Sequence, residues 1–563
     1  MRRPVRRTPL GLALAGALVL TTAAATPARA ATHCAGMAKA KVPGAAQQDA
    51  PSCLSDITTT GLTTTGHTDA SDWATLTSVR TKPQPTTPGF QVDGYFPDDS
   101  TTNDENSKKH DSQFVMRFPD KWNGKLFISG APGVRKQYSV DRAISDWAVA
   151  HGYAFAATDK GNSGTAFYDN AKGHYGGKDH TAPGDAILEW HYRVTELTVA
   201  AKKTVQQVYG RSAARTYMTG ISNGGYLTRW ALEHHPELYD GGVDWEGTLF
   251  TPNDNLLTFL PPTLKHYPKY ALTGSKPDHD AIIKAGFAPG SESLWPEHYG
   301  IYWDLTQRTY REELDPTYDG NQKAGTPFCQ PGSSTALTPC DADYNYAKRP
   351  SARAAVARVS LTGKIGKPML TLHGSLDSLL PIRTDSDLYN KMVQASGKGA
   401  LHRYYVIQAG NHVDSFADTN KAVRPILPCY YDALVALDGW ITKGTAPPRS
   451  GTVARPTSGD EANECALPGT QNKKAVSGST SPRTGQPGTS SGAGTSAASA
   501  GSAGSAGSAG SAGSADSVGS AGSASRGSGV GGSLASTGLA PGLPAAAVAL
   551  LMGAYVLRRR RTA

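Results

Sequence analysis

The central part of this 563-residue chain lacks a net charge. Lys and Arg together number 56 and Asp and Glu 47, a formal charge of +9 at pH 7. That excess is carried by two terminal segments without acidic residues, through Arg2, Arg3, Arg6, Arg7, Arg29, Arg558, Arg559, Arg560 and Arg561. Proteins that bind nucleic acid through charge need a basic surface on the folded body, so the neutral body excludes that class as the main interpretation.

Aromatic residues are absent from residues 471–533, where Ser-Ala-Gly triplets repeat. Such a segment buries too little apolar surface to repay the entropy cost of ordering, so we predict a disordered Gly/Ser/Ala-rich linker. Only the preceding part of the chain, about 400 residues, has the apolar and aromatic content for a large core.

The first 30 residues are typical of a secretory signal peptide. A basic stretch ends at Arg7, residues 10–20 are apolar, and Ala28-Arg29-Ala30 forms a cleavage site before Ala31. The apolar run is too short for a comfortable membrane span. The Arg6-Arg7 pair leaves both the general and the twin-arginine export routes open.

Residues 534–563 combine three features in a fixed order. Leu534-Ala535-Ser536-Thr537-Gly538 precedes a nearly all-apolar run over 539–557 and a final cluster of four arginines. This pattern resembles a sortase sorting signal of the Leu-Ala-x-Thr-Gly type. The resemblance implies that sortase cuts between Thr537 and Gly538 and joins the chain to cell-wall peptidoglycan, and that the apolar run crosses the membrane only before sorting. The alternative is a simple single-span anchor.

No two cysteines have the two-residue spacing of a zinc ribbon or redox motif, so metal binding through cysteine is a poor interpretation. The number of cysteines is even and all lie in the exported part, which favours disulfides. Of the fifteen arrangements, proximity favours Cys34 with Cys53, Cys329 with Cys340, and Cys429 with Cys465.

Residues 90–440 alternate short apolar runs with helical patterns. We expect strands at 125–129, 153–158 and 216–219, and the end of a helix at 147–151. The apolar positions of 185–209 have helical spacing, and Gly210 is placed to end that helix. Strand, helix and strand at these distances imply right-handed crossovers and a mostly parallel sheet flanked by helices.

A Gly-x-Ser-x-Gly sequence, Gly220-Ile221-Ser222-Asn223-Gly224, lies between the predicted strand 216–219 and a helix over 225–235. A serine at such a turn stands above the sheet edge near a helix N-terminus, as catalytic nucleophiles do. The alternative is a structural turn. In that context we predict that Ser222 is the nucleophile.

A serine nucleophile needs a histidine base and an orienting acid, which follow it in that fold in the order acid, then histidine. Asp377 follows a predicted strand at 368–373, and His412 follows one at 403–407. Both therefore belong to the carboxyl edge of the sheet, and we assign them as acid and base. The rivals are Asp385, Asp387, Asp414, His373 and His402.

An oxyanion hole needs two N–H donors. The first is assigned to the backbone of Asn223, directly after the serine. The second is expected from the loop after strand 125–129, where Gly130 or Ala131 is favoured because Pro132 has no N–H.

Several motifs together resemble landmarks of the tannase and feruloyl esterase family. They occur in the family's order over residues 110–250 and 360–445: Trp122-Asn123-Gly124-Lys125-Leu126, Gly152-Tyr153-Ala154 with Thr158-Asp159, residues 191–195, residues 220–225 with 236–241, His373-Gly374 with Asp377, and Gly410-Asn411-His412. The resemblance implies a secreted serine carboxylesterase of the α/β-hydrolase fold that acts on esters of phenolic acids. It places Ser222, Asp377 and His412 at the triad positions.

The chain departs from that family beside the triad. The family has a cysteine before the serine and another after the histidine, joined to brace the site, whereas this chain has Ile221 and Val413. We therefore interpret it as a divergent member whose triad is held by packing.

Residues 248–360 separate the nucleophile half from the acid and base half and are too long for an ordinary crossover. Their aromatic residues predict an inserted lid that forms part of the substrate pocket, or else a small core of the insertion itself: Trp295, Tyr299, Tyr302, Trp303, Tyr310, Phe328, Tyr344 and Tyr346. The resemblance also raises calcium in the lid. The acids Glu312, Glu313, Asp315 and Asp319 lack the spacing of a calcium loop and are interpreted as a solvated face.

The catalytic domain is thus expected over residues 31–470, as a wall-attached serine ester hydrolase without a cofactor. The alternatives are a hydrolase of hydroxyalkanoate oligomers or polyesters, a peptidase, and a non-catalytic surface protein that uses a hydrolase fold for binding.

Overall fold

The computed structural model describes residues 33–164, 174–175, 178–316 and 344–468. Several predictions lie outside these residues: the signal peptide, the linker, the sorting signal with Thr537 and Gly538, and the third cysteine pair, Cys329 with Cys340. Within the described residues, none of the helices combines the length and the apolar character that a membrane span requires.

The main feature is an eleven-stranded sheet. Its strands are β1 Gln47–Gln48, β2 Ser52–Leu54, β3 Gly89–Tyr95, β4 Gln113–Pro119, β5 Lys125–Gly130, β6 Ala154–Thr158, β9 Arg215–Ile221, β10 Gly241–Trp245, β11 Met369–Gly374, β12 His402–Ile407 and β13 Gly451–Val453. A separate hairpin consists of β7 His174–Tyr175 and β8 Lys178–Asp179.

The strand order is β1-β3-β4-β6-β5-β9-β10-β11-β12-β13, with β2 also paired to β3. From β6 to β13 all neighbours are parallel, whereas β1, β2, β3 and β4 form the antiparallel end. This order, with helices as crossovers, is that of the α/β-hydrolase fold, and the predicted fold class is confirmed.

The helices of the described residues connect these strands. They are α1 Thr59–Thr65, α2 Ala70–Trp73, α3 Asp146–Ala150, α4 Asp185–Tyr209, α5 Asn223–His234, α6 Leu256–Thr273, α7 Lys276–Ala285, α8 Trp295–Glu297, α9 Asp304–Leu314, α10 Pro350–Arg358, α11 Ser386–Ala395 and α12 Leu427–Lys443. A π-helical turn, His298–Trp303, joins α8 to α9. Helix α4 covers the predicted residues 185–209, and Gly210 ends it in the left-handed conformation, with φ 70°.

The core lies on both faces of the sheet, because successive side chains of a strand point to opposite sides. On β5, Leu126 and Ile128 pack with the buried face of α4 and α5. Phe127, between them, packs on the other face with Trp147 of α3 and Leu434 of α12. The strands are therefore apolar on both sides, as parallel strands covered by helices are.

The insertion between β10 and β11 contains α6 to α10 in its described part. Most of its aromatic side chains pack against one another and against the main core: Trp295, Trp303, Tyr310, Tyr344 and Tyr346 are buried. They therefore build a core for the insertion. Phe328 lies outside the described residues.

Two predicted disulfides are present. Cys34 is bonded to Cys53, and Cys429 to Cys465, with Cα atoms 5.8 and 4.9 Å apart. The first ties the N-terminal segment to β2, and the second ties helix α12 to the segment that follows β13.

Candidate active site

Ser222 stands at the turn between β9 and α5 in a strained backbone conformation, φ 56° and ψ −116°. The flanking glycines make the turn possible. A Cβ atom on Gly220 would lie 2.4 Å from the carbonyl carbon of Gly224, and one on Gly224 would lie 2.4 Å from the carbonyl oxygen of Gly130. The strand and helix therefore pass at a distance that only glycine allows.

Backbone strain is present along the carboxyl edge of the sheet. Four non-glycine residues with positive φ lie within two positions of the end of a parallel strand: Lys160 after β6, Ser222 after β9, Glu246 after β10 and Ala409 after β12. Such conformations cost about 1–3 kcal/mol each and cluster at functional sites. The carboxyl edge therefore has four strained backbone positions, as does the loop over residues 106–112.

His412 and Asp377 meet at this edge, on the loops after β12 and β11. His412 Nδ1 donates to Asp377 Oδ2 over 2.9 Å. The other carboxylate oxygen, Oδ1, accepts the backbone N–H groups of Leu379 and Leu380 at 2.7 and 2.9 Å. Both side chains are nearly buried, with 4% of His412 and 1% of Asp377 exposed. The acid is therefore fixed by its own loop and directed at the imidazole.

The protonation of this pair follows from burial and mutual charge. Burial disfavours the carboxylate of Asp377, but the charges and hydrogen bonds of His412 and His373 lower its pKa far below the usual value. Burial acts to lower the pKa of His412, but Asp377 outweighs it and the net shift is upward. Asp377 is therefore charged near neutral pH, and its charge favours the imidazolium form of His412.

None of the described hydrogen bonds joins Ser222 Oγ to His412. The Ser222 N–H donates to the carbonyl oxygen of Trp245 at 2.9 Å, which fixes the turn against β10. In free enzymes the contact between nucleophile and base is often long and tightens only with substrate.

The rival acids have other partners. Asp385 Oδ1 pairs with Arg229 Nη1 at 2.9 Å, and Asp387 accepts from the Tyr404 hydroxyl at 2.9 Å. Asp414 accepts the backbone N–H groups at the start of α12, at 2.6 and 2.9 Å. These contacts are structural.

The rival histidines are buried in polar contacts. His402 is the first residue of β12, and its Nε2 lies 3.0 Å from Thr371 Oγ1. His373 lies 3.1 Å from Asp377 Oδ2 and 2.8 Å from the Leu380 carbonyl oxygen. Burial acts to lower the pKa of His373, but the hydrogen bond with Asp377 raises it to about 9. Near neutral pH His373 is a cation that holds the acid loop and has no free site to accept a proton.

The predicted oxyanion donors differ in availability. The N–H of Asn223 is the first of helix α5 and has no acceptor among the described residues, as expected at a helix N-terminus. Gly130 is the last residue of β5. The Ala131 N–H donates to the Thr158 carbonyl oxygen at 3.0 Å. The choice between Gly130 and Ala131 as the second donor stays a prediction.

The insertion contacts both halves of the site. Trp303 Nε1 donates to the carbonyl oxygen of Ser378, the residue after the acid, at 2.6 Å. The Asn223 side-chain amide donates to the Tyr310 hydroxyl. The aromatic residues thus serve the insertion's core and also reach the nucleophile turn and the acid loop.

The acids at the end of α9 do not form the predicted solvated face. Glu313 is buried and its Oε1 accepts the Ala186 N–H at 3.0 Å, at the start of α4. Asp315 is buried and pairs with Arg349 at 2.7 Å. Glu312 is half-buried, and Asp319 lies outside the described residues. Glu313 and Asp315 connect the end of α9 to neighbouring helices, which composition alone could not reveal.

Glu246, which was not among the predicted site residues, is fully buried directly after β10. Its Oε2 lies 3.4 Å from His412 Nδ1, and its Oε1 accepts the Gly374 N–H at 2.6 Å. One side-chain oxygen or nitrogen atom from each of Glu246, Asp377 and His412 lies within 4.8 Å of the other two. The signal available in the sequence was a charged residue at the end of an apolar strand.

Arg229, also not among the predicted site residues, is a buried cation on the nucleophile helix α5. It donates to Asp244 Oδ2 at 2.6 Å, to Asp385 Oδ1 at 2.9 Å and to Ser386 Oγ at 2.7 Å. Ser386 in turn contacts His373 Nδ1 at 2.7 Å. One network therefore joins the nucleophile helix to the histidine that supports the acid.

Polar contacts also join the loops that carry the acid and the base. The Ser378 N–H donates to Asn411 Oδ1 at 3.1 Å, which links the residues next to Asp377 and His412. Ile221 and Val413, the positions without cysteine, are buried in separate apolar clusters. Hydrogen bonds thus join the acid and base loops, and packing holds positions 221 and 413.

Residues 99–245 match the family model described as tannase and feruloyl esterase. This segment includes Ser222, whereas Asp377 and His412 lie beyond it. Mono(2-hydroxyethyl) terephthalate hydrolase of Piscinibacter sakaiensis is 29% identical over 140 residues, 24% of this chain and 23% of that protein. The match therefore spans about a quarter of the length of that relative.

Two solved structures are similar at low sequence identity. Feruloyl esterase B from Aspergillus oryzae is 16% identical, with 73% of this chain and 91% of that chain covered and a TM-score of 0.42. Tannin acyl hydrolase from Aspergillus niger is 14% identical, with 74% and 88% covered and a TM-score of 0.43.

Proposed function

We propose that the chain is a serine carboxylic ester hydrolase in which Ser222 is the nucleophile, His412 the base and Asp377 the orienting acid. The observation that carries this proposal is the hydrogen bond of 2.9 Å between His412 and Asp377, at the sheet edge where Ser222 occupies a strained turn. The match of residues 99–245 to tannase and feruloyl esterase supports the class of reaction.

In the first half-reaction Ser222 Oγ attacks the ester carbonyl carbon while His412 Nε2 accepts the hydroxyl proton. Asp377 holds the proton of Nδ1 and stabilises the imidazolium that forms. The carbonyl oxygen becomes an oxyanion, which the Asn223 N–H is placed to bind. When the tetrahedral intermediate collapses, the bond to the alcohol oxygen breaks and His412 returns the proton to the alcohol.

In the second half-reaction water replaces the alcohol. His412 accepts a proton from the water as its oxygen attacks the acyl carbon. The ester bond to Ser222 then breaks, Ser222 Oγ regains a proton from His412, and the carboxylic acid leaves. Every proton in the cycle passes between Ser222, His412, the alcohol and water.

We propose esters of phenolic acids as the substrate class. The support is the family to which residues 99–245 are similar and the relative whose name describes hydrolysis of an aromatic ester. The acyl or alcohol group would enter beside the insertion, whose Tyr310 and Trp303 adjoin the nucleophile turn and the acid loop.

Labelling by a fluorophosphonate probe tests the catalytic residues, because the probe reacts only with an activated serine. We expect the unmodified chain to be labelled and Ser222→Ala to remain unlabelled. His412→Ala should be labelled at least about 1000-fold more slowly. Ser293→Ala, an exposed serine on the insertion, is the matched control and should label normally. Equal labelling of the Ser222 and His412 variants with the unmodified chain would disprove the assignment.

A substrate panel tests the chemical class. Methyl gallate, methyl ferulate, a terephthalate monoester and a hydroxybutyrate ester are compared at equal concentration. We expect the aromatic esters to be hydrolysed with the higher kcat/KM. Preference for the hydroxybutyrate ester would favour the polyester alternative. Failure to hydrolyse any ester, with the serine still labelled, would refute the substrate class and favour an amide substrate.

We also propose that the chain is exported and attached to the cell wall. The support is the sequence of residues 1–30 and the sorting pattern of residues 534–563. Muramidase digestion of cells should release the unmodified chain with wall fragments, whereas Thr537→Ala should remain with the membrane. Ser536→Ala, at the variable position of the motif, is the control. Equal release of the Thr537 variant would disprove sortase attachment.

A further inference from the structure

Glu246 occupies an unusual position for a buried acid. It directly follows β10, the strand that separates the Ser222 turn from the Asp377 loop. Its backbone has φ 50°, and its N–H donates to the Leu372 carbonyl oxygen at 2.9 Å. This left-handed residue leads the chain away from the strand toward the insertion. The conformation is costly for a side chain with a Cβ atom, which points to a requirement at this position.

The contacts of Glu246 direct its carboxyl group at the base. Oε1 accepts the Gly374 N–H at 2.6 Å, which fixes one oxygen on β11. Oε2 lies 3.4 Å from His412 Nδ1 and accepts from Trp245 Nε1 at 3.2 Å. Asp377 Oδ2 is closer to the same nitrogen, at 2.9 Å. Two acids from adjacent strand ends therefore face one N–H group.

We propose that Glu246 is a second orienting acid for His412, which takes over the Nδ1–H when Asp377 is removed or neutralised. This inference rests on the proposed function, since it assigns a role within the same site. Glu246 is a positioning residue, because it acts on substrate only through the imidazole.

The electrostatics explain why only one acid acts at a time. Burial, and then the negative charge of Asp377, raise the pKa of Glu246 to about 8, while His373 and His412 act in the opposite direction. Near neutral pH Glu246 thus keeps its proton while Asp377 is charged. Removal of the Asp377 charge removes the repulsion that suppresses ionisation of Glu246, and Oε2 then becomes a charged acceptor within reach of Nδ1.

A double-variant cycle tests this role, with the rate of fluorophosphonate labelling of Ser222 as the readout. The variants are Asp377→Asn, Glu246→Gln and the two combined. Loss of the orienting acid costs a serine hydrolase about 10 000-fold in rate. We expect Asp377→Asn to lose only about 100-fold, Glu246→Gln less than about 10-fold, and the double variant a further factor of about 100 beyond Asp377→Asn. The effect of the Glu246 change must therefore be larger when Asp377 is absent.

The pH profile separates orientation from folding. In Asp377→Asn the labelling rate should rise with pH as His412 loses its proton and as Glu246 ionises, and the part of the rise that comes from Glu246 should disappear in the double variant. If Glu246→Gln does not fold, Glu246→Asp takes its place, since it keeps the charge but withdraws it by one methylene group. Asp146→Asn is the matched control: Asp146 is also a buried acid, and its hydrogen bonds come from Thr59.

The outcomes distinguish this inference from the proposed function. If Glu246→Gln slowed labelling by the same factor with Asp377 present and with Asp377→Asn, the role of Glu246 would be overturned while the proposed function stood. The same would follow if Asp377→Asn were labelled as slowly as His412→Ala. A chain that labels normally but hydrolyses no ester would refute the substrate class and leave the cycle valid. Absence of labelling in the unmodified chain would overturn both.

Discussion

Replacement of Arg229 by methionine is the sharpest test of how this site is supported. Arg229 is fully buried on α5, where its guanidinium pairs with Asp244 and Asp385 at 2.6 and 2.9 Å. Methionine retains most of the volume and leaves both carboxylates buried without their cation. Removal of one partner from a buried ion pair costs about 3–5 kcal/mol. With an unfolding entropy of about 2.1 cal/mol/K per residue over roughly 400 residues, Tm should fall by about 4–6 °C.

The assay is thermal unfolding together with the labelling rate of Ser222. The combination of Arg229→Met with Asp244→Asn and Asp385→Asn removes the unpaired charges, and we expect it to recover at least half of the lost stability. Arg353→Met, an exposed arginine on α10, is the control and should change Tm by less than about 1 °C. A shift of the same size in both single variants, or no recovery in the combination, would refute the reasoning.

Three further predictions concern other parts of the fold. Gly224→Ala should reduce labelling of Ser222 by at least about 100-fold, because its Cβ has no room at the turn, whereas Gly439→Ala, which meets no atom within 4 Å inside α12, should gain about 0.5–1 kcal/mol of stability. Burial raises the pKa of Asp146 from 3.8 to about 7. At pH values between these two, the folded chain keeps a proton that the unfolded chain has lost, so the free energy of unfolding falls as pH rises. Asp146→Asn should therefore gain up to about 4 kcal/mol over the unmodified chain between pH 4 and pH 8, and a difference in Tm that does not change with pH would contradict this. Joint replacement of Cys429 and Cys465 by alanine opens a loop with a sequence separation of 36 and should cost about 4 kcal/mol, measured by denaturant unfolding, with an unchanged midpoint as the opposing result.

The elements that could be predicted are those whose signal is continuous in the sequence. Helix α4 was predicted at its observed bounds, because 25 residues share one periodic pattern and a glycine ends it. Strand β5 was predicted to within one residue from an apolar run bounded by turn residues. The two observed disulfides followed proximity, since short loops bring cysteines together at the least entropy cost.

The parts that could not be predicted depend on residues that are distant in the sequence. Glu246 and His412 meet because β10, β11 and β12 are neighbours in the sheet, which no local pattern specifies. Arg229 and Glu313 have charged side chains of the kind that usually lie at the surface. Only their partners across the fold explain why they are buried. The second oxyanion donor stays a prediction between Gly130 and Ala131, because the pairing at the end of a strand depends on its neighbour, here Thr158.

Through Trp303 and Tyr310 the insertion contacts both the acid loop and the nucleophile turn. A change in the insertion can therefore alter the substrate specificity and the reaction rate together. Trp303 holds the backbone beside the acid, and Tyr310 holds the side chain beside the nucleophile. An exchange of the whole insertion with that of another hydrolase would alter substrate choice and the alignment of the reacting groups at once. Engineered chimaeras that keep these two aromatic residues should therefore retain turnover, whereas those that omit either would need compensating changes in the sheet-edge loops.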